Sequence, residues 1–215
     1  MVKYFFILLM SFVITLSAQD VNKPVLLSHY VLDTFTTGSV KVKSGIVSTQ
    51  KLNYNILTGE MIYDDKGKLL AIGNPGDVDT IAVSGRSFVP VNNKFFEVLS
   101  NTPLPLLLEF TFTIDEPGAS VGYGNATPST NATSLKTLIG TGSVYEVKLP
   151  DDFKVIPGYA FWIRKEGQLL KAGSVQQLIK IFPGKKSLIK EQVKKNKTNF
   201  SNPGDVINIV TNIQQ

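Results

Sequence analysis

The sequence has 215 residues, no cysteine, one histidine and a formal net charge of +5. Without cysteine the chain can form neither disulfides nor thiolate metal sites, and it cannot carry the lipidated cysteine of a bacterial lipoprotein. A hydrophobic core must therefore hold the protein together, and a hydrophobic fraction of 43% is sufficient for such a core.

Residues 1–19 have the pattern of a secretory signal peptide. Lys3 precedes an apolar run, and Ser17-Ala18-Gln19 provides the small residues of a cleavage site. The apolar run is shorter than the roughly 20 residues that a membrane-spanning helix needs. We therefore expect a secreted or periplasmic protein with no transmembrane segment after cleavage. An uncleaved N-terminal anchor is the alternative.

Residues 20–173 are dominated by alternation of apolar and polar residues, which predicts antiparallel strands with one buried face. In the clearest run, Leu106 and Leu108 lie on one face. Leu107 and Glu109 lie on the other face, which we expect to be solvated. Turn-forming residues recur about every eight to twelve residues, a spacing typical of a meander folded into a sandwich or curled sheet.

A stretch rich in glycine, serine, threonine and asparagine interrupts this pattern at residues 115–143. It predicts either one long surface loop or the join between two β-lobes. Alternation resumes at residues 145–149 and predicts a further strand there.

Helical spacing begins at residues 174–215 and predicts three short helices packed on the β domain. The first helix follows a capping box formed by Ser174 and Gln177, and a Pro-Gly pair ends it. The second extends to about Lys197, and Asn202 is expected to cap the third. The predicted fold class is α+β, an antiparallel meander followed by three C-terminal helices.

The positive charge of the chain is concentrated in these helices. From Lys180 onward there are seven lysines against Glu191 and Asp205, a side-chain charge of +5. On a helical wheel of the second helix, apolar residues form one stripe and lysines form another beside it. This lysine stripe consists of Lys186, Lys190, Lys194 and Lys197.

The lysine stripe is a candidate anion-binding surface. Lysines four residues apart in a helix repel each other by roughly a few tenths of a kcal/mol per pair. Helix stability therefore does not explain why lysines occupy these positions. An ordinary solvated helix face is the alternative. Because neither arginine nor aromatic residues accompany the lysines, no nucleic-acid partner is expected.

Few residues of this chain are suited to catalysis, and His29 is its one histidine. Carboxylate-dependent hydrolysis requires two acidic side chains across a cleft, and Glu97 and Glu109 could supply them if their strands pair. The alternative is that both lie on a solvated sheet surface. A non-enzymatic protein is favoured, and neither a metal site nor a cofactor is expected.

Three aromatic residues are candidate ligand contacts, namely Trp162, Tyr159 and Tyr123. Aromatic rings offer a large contact area and, for tryptophan and tyrosine, a polar group. Trp162 alternates off the face that carries Tyr159, so it is either exposed or buried in a second layer.

Four segments resemble a group of uncharacterised exported β-rich proteins from Gram-negative bacteria. They are residues 52–61, 78–99, 121–134 and 176–210, and the last joins Ile-Phe-Pro to the basic helix and Asn-Lys-x-x-Phe. The segments are spread along most of the mature chain, and the resemblance implies export and a β-rich layout. It implies no activity, because none is assigned to the group.

Together these features favour an exported, non-enzymatic envelope or extracellular module with a binding or structural role. Its partner would be a protein, a glycan or a component of the cell surface. One alternative is a carboxylate-dependent hydrolase of envelope or extracellular polysaccharide. Another is a protein that binds anionic surfaces through the lysine stripe.

Overall fold

A computed structural model describes residues 29–115 and 154–215 of the chain. The predicted signal peptide, Tyr123, the strand at 145–149 and the predicted loop beyond residue 115 lie outside the described residues. No helix within the described ranges is long and apolar enough to cross a membrane.

The described residues form one antiparallel sheet followed by three helices, which confirms the predicted α+β meander. The strands are β1 (Thr36–Val42), β2 (Val47–Asn55), β3 (Glu60–Asp65), β4 (Lys68–Ala71), β5 (Val78–Val83), β6 (Arg86–Val91), β7 (Lys94–Ser100), β8 (Leu106–Asp115), β9 (Lys154–Lys165) and β10 (Gln168–Lys171). The helices are α1 (Val175–Ile181), α2 (Lys186–Asn196) and α3 (Pro203–Gln214).

The sheet consists of two meanders that are joined by the pairing of β1 with β5. The strand order is β10-β9-β8-β7-β6-β5-β1-β2-β3-β4, so β1 to β4 form one meander and β5 to β10 form the other. After β4 the chain returns through a 3-10 turn at Pro75–Asp77 and places β5 against the free side of β1.

The sheet curls back on itself. The rings of Tyr54 in β2 and Phe110 in β8 lie 5.1 Å apart, although four strands separate them in the sheet. In a flat sheet five strand spacings would span about 24 Å. A backbone hydrogen bond of 2.9 Å from Phe95 to Gly59 joins β7 to the β2–β3 turn and holds the curl.

The helices pack their apolar sides into the core enclosed by the curled sheet. The buried helical residues are Leu178, Ile181, Ile189, Val206, Ile209, Val210 and Ile213. The predicted caps form because they require only local geometry. The Ser174 hydroxyl accepts the Gln177 N–H at 3.3 Å, and the Asn202 side chain accepts two N–H groups at the start of α3.

The outer face of the sheet carries a second apolar cluster, and here one expectation was wrong. Leu107 was expected on a solvated face but is 1% exposed. It packs in a cluster with Val91 and Phe96, which Trp162 and Leu169 adjoin. Alternation assigns a side chain to a face, whereas neighbouring strands decide whether that face is covered.

Candidate functional site

Helix α2 separates its apolar residues from its lysines, as the wheel predicts. Ile189 is completely buried in the main core, and Leu188 and Val193 are half-buried beside it. The four residues of the lysine stripe are all exposed. The core thus fixes the helix by one side and leaves the lysine stripe facing solvent.

No lysine of the stripe forms an ion pair with another described residue. The ion pairs of the described ranges join residues of the sheet, namely Lys41–Asp79, Arg86–Glu97 and Lys94–Glu109. Glu191 is the one acidic residue of α2, and it is exposed and likewise has no ion pair there. No ion pair within these ranges therefore neutralises a charge of the stripe.

Both ends of α2 are held in place. At its start, the Lys185 ammonium donates a hydrogen bond to the Ile213 carbonyl of α3. At its end, Lys197 adopts a left-handed conformation with φ 49°, and the Thr198 N–H bonds the Val193 carbonyl at 3.1 Å. The lysine stripe therefore lies on a helix whose position and length are fixed.

Helix electrostatics do not account for the whole stripe. Lysines are favourable near the C-terminus of a helix, as Lys194 and Lys197 are, because carbonyl groups point outward there. Lys186 is the first residue of α2, where the helix dipole disfavours a cation. A binding function of the lysine stripe would explain why position 186 is a lysine.

The aromatic candidates do not form one site. Phe110 and Tyr159 are paired across β8 and β9, and Trp162 is three residues farther along β9, on the opposite face. Tyr159 is 42% exposed and meets the Phe110 ring edge-on at 5.9 Å. Trp162 contributes to the outer apolar cluster instead, and Tyr123 lies outside the described residues.

The polar group of Trp162 is already occupied. Its indole N–H donates to Glu109 at 3.1 Å, and the Lys171 ammonium lies 5.5 Å from the centre of its ring. Glu109 also pairs with Lys94 at 3.3 Å. These contacts give Trp162 a place in the packing of the outer face.

The two candidate catalytic carboxylates point to opposite faces of the sheet. Glu97 is paired with Leu108, so it shares the inner face with that residue, whereas Glu109, the next residue along β8, points outward. They cannot act together across one cleft. No three acidic or histidine side chains within 29–115 and 154–215 cluster in a way that could hold a metal ion.

Glu97 belongs to a buried cluster of polar and aromatic side chains. It is 6% exposed, and one of its oxygens accepts a 2.8 Å hydrogen bond from Arg86 Nε. The Arg86 guanidinium also lies 5.6 Å above the Phe110 ring. The arginine thus compensates a carboxylate that the core would otherwise leave without a counter-charge.

Tyr54 stacks in the same cluster against Phe88, with 5.3 Å between ring centres. Burial raises the pKa of its phenol well above the ordinary value, and the charges of Glu109, Glu60 and Glu97 add to the shift. The hydroxyl has no hydrogen-bond partner in the described parts of the chain. Tyr54 therefore stays neutral and serves the packing of the core.

The structure also contains a surface groove that the sequence did not predict. It lies along the β3–β4 hairpin and is bordered by the turn that carries Asn93, with a volume of about 470 Å³. Most of its lining residues lie between residues 60 and 75, and Asn93 joins them from the β6–β7 turn.

No family model matches this chain, and no similar curated protein or solved structure was found.

Proposed function

We propose that the protein is an exported, non-enzymatic binding module that attaches to anionic surfaces through the lysine stripe. Export rests on the signal-peptide pattern of residues 1–19 and on the resemblance to exported β-rich proteins. The observation that carries the binding proposal is a row of exposed lysines on a fixed helix, without carboxylate partners among the described residues.

The dimensions of the stripe suit a repeating anion. Lys186, Lys190 and Lys194 follow one another at intervals of four residues, so the row rises about 12 Å along the helix. A lysine ammonium is a compact charge on a flexible stem, which suits phosphate, carboxylate or sulfate groups without demanding one geometry. Anionic lipid headgroups and acidic polysaccharides both present such groups.

Binding of this kind depends on salt. Each lysine near an anionic surface contributes about 1 kcal/mol, and the attraction decays over a Debye length of about 8 Å at physiological ionic strength. Three lysines therefore account for roughly a hundredfold in affinity.

The test uses the triple variant Lys186→Gln/Lys190→Gln/Lys194→Gln. The probes are phosphatidylcholine vesicles with and without phosphatidylglycerol, and immobilised polygalacturonate, each at low and high salt. The purified protein is expected to bind at least one anionic probe, and the triple variant to bind it about a hundredfold more weakly. The probe that binds identifies the source of the anion.

A matched control replaces by glutamine three exposed lysines outside the helices, Lys43, Lys51 and Lys68. It changes net charge by the same amount, and its binding is expected to fall much less. Equal losses in the two triple variants would indicate a general charge effect and would refute a role for the lysine stripe. Absence of binding to both anionic probes would also refute it.

A further inference from the structure

We propose that the groove along the β3–β4 hairpin binds a neutral saccharide. Six of its residues carry the argument, namely Glu60, Tyr63, Leu70, Ile72, Asn74 and Asn93. Its volume of about 470 Å³ lies within the range of about 300 to 1,000 Å³ that is usual for ligand sites. The proposal does not depend on the lysine stripe, which uses other residues.

The groove offers an aromatic and aliphatic surface. Tyr63 and Leu70 are paired across β3 and β4, so their side chains project from the same face of the hairpin. Both are half-buried, as is Ile72 beyond the end of β4. A tyrosine ring beside aliphatic groups suits the C–H face of a sugar ring, which is apolar while its edge is polar.

Four hydrogen-bonding side chains line the groove, and three of them are not used by the described residues. The side chains of Glu60, Tyr63 and Asn93 make no hydrogen bond or ion pair with the described residues. The Asn74 amide is held by a 2.6 Å hydrogen bond from its nitrogen to Asp77. A carboxylate, a phenol and two amides provide both donors and acceptors, which sugar hydroxyl groups require.

The charge of the lining selects the class of saccharide. Glu60 is the one charged residue that lines the groove, and neither lysine nor arginine lines it. A sulfated or uronic-acid sugar would meet the Glu60 carboxylate without a compensating cation. A neutral sugar instead donates its hydroxyl protons to that carboxylate in charge-assisted hydrogen bonds.

The walls of the groove are held in position before a ligand binds. The Ile72 N–H bonds the Met61 carbonyl at 3.0 Å and extends the hairpin by one residue. Asn92 and Asn93 form a tight turn with φ of 48° and 65°, and the adjoining strand is tied to Gly59 through Phe95. Such preorganisation lowers the entropic cost of binding a polar ligand.

The proposal is tested by titrating the purified protein separately with maltotriose, cellotriose and N-acetylchitotriose. Calorimetry and NMR measure the binding in each titration. At least one trisaccharide is expected to bind saturably. Tyr63→Ala is expected to weaken that binding by about tenfold or more, because the stacking surface is lost. Glu60→Gln and Asn93→Gly should each weaken it by about fivefold, through loss of one hydrogen-bonding group.

Asn93→Gly separates binding from folding, which Tyr63→Ala alone does not, because Tyr63 also packs against the main core. Glycine accepts the positive φ of Asn93, so Asn93→Gly removes the amide without straining the turn. Ile46→Ala removes an apolar side chain of a residue that is 69% exposed and does not line the groove, and it should bind like the unchanged protein. Thermal melting tests whether each variant is folded.

Three results would overturn the proposal. The first is an absence of saturable binding by all three trisaccharides. The second is binding that Tyr63→Ala and Asn93→Gly leave unchanged. The third is preferential binding of spermidine, abolished by Glu60→Gln, which would assign the groove to cationic ligands.

Discussion

Arg86 offers the most direct test of how the curled sheet is stabilised. The Arg86→Met variant keeps most of the side-chain volume but leaves the Glu97 carboxylate, 6% exposed, without its cation. Removing one partner of a buried pair costs about 3 to 5 kcal/mol. Because the Arg86 side chain is 33% exposed, water partly compensates, and we expect a loss of about 2 to 4 kcal/mol.

The assay is urea denaturation of Arg86→Met, Glu97→Gln and the double variant at pH 7. Glu97→Gln retains an oxygen acceptor for Arg86 Nε and should cost only about 1 kcal/mol. The double variant should be more stable than Arg86→Met alone, because no unpaired charge remains in the core. Arg164→Met is the control, since Arg164 forms no ion pair in the described ranges.

Equal stability of Arg86→Met and Arg164→Met would refute this reasoning, because it would mean that Glu97 does not need its partner. Additive losses in the double variant would also refute it, since a coupled pair must be non-additive.

Two further predictions concern stability. Gln214→Ala should lower the free energy of unfolding by about 1 to 3 kcal/mol in urea denaturation, because it leaves the Leu104 N–H and C=O without the bonds of 2.8 and 2.9 Å that tie α3 to the β7–β8 loop. Gln215→Ala is its control, and equal losses would contradict the assignment. In the unfolded chain the Tyr54 phenol is ionised above about pH 10. In the core it stays neutral, because burial raises its pKa. The contribution of Tyr54 to stability is intact below about pH 10. Above that pH the free energy of unfolding should fall by about 1.4 kcal/mol per pH unit. Tyr54→Phe should remove that part of the slope, and an unchanged slope in alkaline unfolding would show that other groups cause it.

The features of this fold that depend only on residues close together in the sequence could be predicted from the sequence. Ser174 and Asn202 cap their helices because capping needs only a side chain within three residues of the N–H groups that it satisfies. The stripes of α2 follow from the helical period alone, and burial of Ile189 confirms the apolar one.

Features that depend on contacts between distant segments could not be predicted. The pairing of β1 with β5 joins strands separated by the whole β2–β4 meander, and neither strand carries a signal for the other. Burial of Leu107 depends on side chains from β6, β7 and β9. Asn93 borders the groove only because the curl brings the β6–β7 turn toward the β3–β4 hairpin.

The separation between residues that hold the fold and residues that face solvent makes the proposed binding surface testable. Ile189 anchors α2, whereas Lys186, Lys190 and Lys194 make no ion pair within the described ranges. Surface substitutions of this kind change stability by about 0.5 kcal/mol or less, and loss of like-charge repulsion should slightly favour the helix. A triple variant that binds anions weakly must therefore do so with an intact helix. If it unfolded instead, the lysines would have a structural role that contradicts their exposure.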